Sequence, residues 1–85
     1  MRIDLFLKLA GIIKTRSRAK RACDGGYVTI NGSPAKPASD VSAGDLLEVE
    51  GSRGSRRVLR VDRIPETRQV SRRRRRELYT ELDGD

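Results

Sequence analysis

Arg16, Arg18, Lys20 and Arg21 crowd into "KTRSRAKRACDGGYVTING", just ahead of two glycines and an Asn-Gly pair. Four cations within six residues are suited to holding phosphate. Cationic side chains near a helix N-terminus work against the helix dipole, so their placement makes physical sense when an anion sits between them. The alternative is a solvated helix face. The side-chain set for other chemistry is thin. There is no histidine and a single cysteine, Cys23, so the usual zinc sites and an internal disulfide are excluded. No convincing nucleophile–base pair stands out, so no catalytic residue, cofactor or metal is expected.

The charge along the chain supports a polyanion partner. The net charge is +7 over 85 residues, and it comes in blocks. Residues 1–23 carry seven Lys/Arg against Asp4, and 24–50 carry Lys36 against five acids. Residues 51–76 carry eleven arginines against Asp62 and Glu66, and 77–85 carry four acids and no base. A merely solubilising surface mixes its signs more finely. No apolar run approaches the length of a membrane span. "MRIDLFLKLAGIIK" is broken by Asp4 and Lys8 and lacks a cleavage site, so it does not read as a signal peptide. A cytoplasmic location is expected, in keeping with a small domain without disulfides.

The elements that must position these cations follow from pattern. Ile3, Phe6, Leu7 and Ala10 recur at helical spacing, with Leu9 and Ile13 widening the stripe. Asp4 suits the first turn of that helix. A break is expected around Lys14–Thr15, then a second helix capped by Thr15 or Ser17. Ala19, Ala22 and Cys23 form its packing face and Gly25-Gly26 its stop. Val28 and Ile30 alternate into a strand, and Asn31-Gly32 is a strong hairpin signal. Pro34 and Pro37 restrict the return strand. "LLEVE" and "RRVLRVDRI" read as two more strands. "SRRRRRELYTEL" is expected to form a terminal helix capped by Ser71, with Leu78, Tyr79 and Leu82 as its apolar patch.

In that order, "RID" with Leu7, "KTRSRA", "GGYVTINGSPAKP" and "VSAGD" resemble the RNA-binding S-four domain, or alpha-L motif, from Arg2 to about Val49. The resemblance implies an α+β fold, with two packed N-terminal helices against a small bent antiparallel sheet, to which the residue pattern adds a short C-terminal helix. It also implies an S-four-type RNA-binding domain over residues 1–65. The basic arm over 66–85 is expected to be partly helical or disordered. Arg2 and Arg16 match the motif positions for rRNA backbone contact, and Lys14 and Lys36 follow. Thr15 and Ser17 can cap or donate to phosphate. Arg18 and Lys20 complete the first cluster. Arg72 and Arg73 represent the arm, since five arginines in a row cannot all face one groove. Tyr27 is equally readable as a base-stacking or a structural ring.

A chain with this domain and little else is similar to small stand-alone S-four proteins of ribosome-associated quality control. Such a protein binds large-subunit rRNA and P-site tRNA on a stalled large ribosomal subunit. It supports template-free tailing of the nascent chain by a tRNA-recruiting partner of the RqcH type. Two alternatives come from the same domain: a heat-shock-type S-four protein that recycles large subunits, and a targeting module of an RNA-modifying enzyme. A polybasic membrane-surface peptide ranks last, because bulky apolar anchors are few.

Overall fold

The computed structural model describes residues 1–82; the last three residues of the expected 66–85 arm lie outside it. The expected α+β architecture is present. α1 (Ile3–Leu9) and α2 (Arg16–Asp24) pack against one face of a five-stranded sheet. The strands are β1 (Val28–Ile30), β2 (Ser33–Pro34), β3 (Leu46–Glu50), β4 (Arg56–Val61) and β5 (Tyr79–Leu82), with α3 (Arg72–Arg75) before the last. Their order across the sheet is β2-β1-β3-β4-β5, antiparallel throughout.

Local chemistry explains the helix ends. Both helices stop in the same glycine-terminated motif. Gly11 takes φ +73° and Gly26 takes φ +82°, where a side chain is strained. The Ile12 amide reaches back to the Leu7 carbonyl and the Gly11 amide to Lys8. The Tyr27 amide reaches Ala22, and the Gly26 amide reaches Cys23. These bonds satisfy carbonyls that each helix would otherwise leave open. At the start of α2 the choice between caps resolves to Thr15, whose Oγ1 accepts from the Arg18 amide at 3.1 Å.

Asn31 and Gly32 both have positive φ, the signature of a type I′ turn between β1 and β2. Asn31 also ties that turn to β3: its Nδ2 donates to Asp45 and its Oδ1 accepts from the Leu46 amide. Val28, Leu47, Val49, Leu59 and Val61 point inward and meet Ile3, Phe6, Leu7, Ala19 and Cys23 in one core. Burial pushes the Cys23 thiol up to about 11, with the Asp4 and Asp24 carboxylates adding to the effect. It stays protonated as a packing group.

The expected terminal helix is corrected. Ser71 does cap a helix, but it runs only through Arg72–Arg75. Five adjacent arginines repel one another, and the first turn holds no acid to offset them. Residues 79–82 instead form β5, pairing Tyr79 with Val61 and Leu82 with Val58. This edge strand satisfies the free side of β4 and buries Leu78. It is held by a two-bond fork from Arg57 to Glu81, at 2.9 and 2.7 Å. That fork keeps the Glu81 carboxyl below the usual range.

Arg75 crosses directly over the end of α1. A Cβ on Gly11 would stand 3.1 Å from Arg75 Cδ and 3.3 Å from its Nη1. Gly11→Ala should therefore combine a left-handed backbone penalty of about 1 kcal/mol with displacement of the arm. The expected result is a melting temperature lower by roughly 4–8 °C. An unchanged melt would show that neither the turn nor the arm contact matters.

Candidate nucleic-acid interface

Helical phase decides which cations meet. Arg16 lies three and seven residues before Ala19 and Cys23, on the buried face of α2. That face is turned toward α1, so Arg16 is carried to the start of α1, where Arg2 is the N-cap. Between them sits Asp4, a buried charged side chain with only 2% of its surface exposed. Arg2 holds it by a fork: Nε to Oδ1 at 3.2 Å and Nη2 to Oδ2 at 3.0 Å. Arg16 Nε lies 3.6 Å from the same Oδ2. The Leu5 amide donates to Oδ1 at 2.7 Å.

This geometry orients without neutralising. One carboxylate faces two guanidiniums, so the cluster keeps a net positive charge. The Arg2 and Arg16 side chains remain 48% and 42% exposed. Each guanidinium has five N–H donors, and the carboxylate occupies only some of them. The remaining donors are held in fixed planes at the surface, as bidentate phosphate recognition requires. The first turn of α2 contains no acid, so its free amides add to the positive potential.

The loop after β2 joins this corner. The Pro37 carbonyl accepts from the Asp4 amide and the Ser39 carbonyl from the Ile3 amide. Exposed Lys36 is thereby brought beside the start of α1, where its own amide donates to Ser39 Oγ. Lys14 and Ser17 are exposed at the entry to α2, and Thr15 Oγ1 lies 3.3 Å from Ser17 Oγ. Lys20 is exposed one turn along from Arg16. Arg18 falls about 200° around the helix from Arg16 and so faces away from the cluster. Arg72 and Arg73 belong to a different corner. α3 sits at the C-terminal end of α1, about 10 Å along a seven-residue helix from Arg2. Tyr27 is 51% exposed, with its ring against Gly25.

Asp4 is the organising residue that charge counting passes over. In sequence it reads as a first-turn acid, which it also is. Its spacing of two from Arg2 offers a hint, but its ion pair with Arg16 is invisible without the packing of α1 on α2.

Two packed helices backed by a small antiparallel sheet carry this arginine–carboxylate–arginine cluster, and the fold is that of an S4-type domain. Residues 1–47 match the S4 domain, and the chain belongs to that family. It is 51% identical over 49 residues to a Bacillus subtilis (strain 168) protein named RQC P-site tRNA stabilizing factor, a match covering 58% of this chain. The match spans 57% of that relative's length. Among solved structures, the trimeric Vibrio cholerae heat shock protein 15 superposes with a TM-score of 0.85 at 30% identity, covering 96% of this chain and 81% of the other. The solution structure of the protein HP1423 superposes at 0.83 and 30% identity, covering all of both chains.

Proposed function

We propose that this chain is an RNA-binding factor of ribosome-associated quality control. It holds large-subunit rRNA and P-site tRNA on large ribosomal subunits that still carry stalled peptidyl-tRNA. The observation that carries the reading is the surface pair Arg2 and Arg16, aligned by buried Asp4 and left with free donors. The likeness to a P-site tRNA stabilizing factor supports the choice of RNA. Lys14, Ser17, Lys20 and Lys36 extend the face, while Arg18, Arg72 and Arg73 contact phosphate from other sides. By holding the tRNA in place, the protein supports template-free tailing by a tRNA-recruiting partner of the RqcH type, in the cytoplasm. No catalytic step is assigned to it. No helix among the described residues is long and apolar enough to cross a membrane.

The similarity to heat shock protein 15 across nearly the whole chain favours a second reading, recycling of large subunits with a stuck peptidyl-tRNA. Both readings place the protein on the same particle. Crosslinking and sequencing of RNA recovered with the protein from lysate tests them together. Large-subunit rRNA with tRNA is the expected recovery, and enrichment of free mRNA or DNA overturns both. Co-recovery of a tailing partner favours the first reading, and its absence with stalled subunits favours the second.

A further inference from the structure

Three cations away from the Arg2–Asp4–Arg16 corner line one cleft. A cleft of about 530 Å³ opens where the C-terminal arm folds over the end of α1. Its lining includes three cations, Lys8, Arg68 and Arg75, two neutral polar residues, Gln69 and Ser71, and no acid. None of the three cations is in an ion pair among the described residues. The C-terminal end of α1 contributes partial negative charge, which offsets only part of one cation. The adjoining cleft, about 560 Å³, makes the contrast. It places Glu66 and Glu77 beside Arg63 and Arg74, so its charges balance.

Arg75 adds an independent sign. Its aliphatic stem rests on Gly11, and its Nε is buried with no hydrogen-bond partner among the described residues. Buried donors are almost always paired, because leaving one open is costly. An anion entering the cleft would supply the acceptor after a small turn of the guanidinium.

We infer that the cleft between α1 and the arm, bearing Lys8, Arg68 and Arg75, is a second phosphate-binding site for the RNA backbone. It lies at the far end of α1 from Arg2 and Arg16. The two sites grip RNA at separate points, so the protein reads the spacing of two backbone segments as well as their charge. The inference rests on the RNA-binding reading proposed above. RNA is favoured over an anionic membrane because Tyr27 and Leu46, the large apolar side chains most exposed, do not line this cleft.

The test uses the full chain, purified large ribosomal subunits and a salt titration, comparing wild type with a Lys8→Gln/Arg68→Gln double variant. Both side chains are exposed, so the melt should fall by no more than the modest helix-dipole contribution of Lys8. Two lost phosphate contacts should flatten the slope of log affinity against log salt by about 1.8 and weaken binding roughly thirtyfold near 150 mM salt. An unchanged slope in the variant overturns the cleft and leaves the RNA reading standing. Failure of wild type to bind subunits overturns both. Retained subunit binding with loss of binding to vesicles of anionic phospholipid would reassign the cleft to a membrane and overturn the inference.

Discussion

Arg2→Gln/Arg16→Gln should lower affinity for large ribosomal subunits about a hundredfold while the protein stays folded at the assay temperature. It should also lower the melt, because buried Asp4 loses both cations and keeps only amide donors. Each guanidinium offers charge-assisted bonds to phosphate worth about 1.5 kcal/mol or more. Two such contacts also carry about 1.8 of the salt slope. With six or more phosphate contacts in all, wild-type affinity should fall by roughly 10³ between 50 and 200 mM salt. Glutamine is the better replacement than alanine here. Arg2→Ala would strip the fork from a carboxylate that is almost wholly buried, confusing a binding loss with a folding loss. Filter binding across a salt series, with a thermal melt of each variant, separates the two. A double variant that binds with wild-type affinity and slope would remove this corner from the interface.

Asp4→Ala should destabilise the fold. The carboxylate accepts from the Leu5 amide, takes the Arg2 fork and faces Arg16. Its loss leaves two like charges near each other and an amide without its side-chain acceptor. Both guanidiniums are about half exposed, so water screens part of the loss, and about 2 kcal/mol is expected. A domain of this size is stabilised by only about 4–13 kcal/mol, so the melt should drop by roughly 8–16 °C. Asp4→Asn keeps the shape and isolates the role in binding. Removing a negative charge would by itself tighten RNA binding. If Asp4 works by aligning the arginines, binding weakens instead. Tighter binding by Asp4→Asn would refute the alignment.

Much of this is written locally. The stripe Ile3, Phe6, Leu7, Ala10 makes α1 because a 3.6-residue period leaves one face to bury. Asn31-Gly32 makes its turn because those residue types tolerate positive φ. The strand alternation of Leu47/Val49 and Leu59/Val61 is legible for the same reason: neighbours in sequence decide it. The Arg2 and Arg16 positions follow from the motif they match. The segment after Ser71 is where local reading fails. "ELYTEL" places apolar residues at spacings a helix accepts. A free β4 edge with backbone groups to satisfy then outweighs propensity.

Residues a few positions apart were enough to specify α1, α2 and the hairpin, and the ordered run of motifs over the first half of the chain was enough to specify the family. Tertiary structure alone decided three things. It set Asp4 between Arg2 and Arg16, fourteen positions apart in the chain. It added residues 79–82 to the sheet as a strand. It laid Arg75 across Gly11, sixty-four positions away. The physical reason is common to all three. A buried carboxylate, an open strand edge and a glycine-sized gap are satisfied by whichever partner the packing brings near, and sequence distance does not limit that choice.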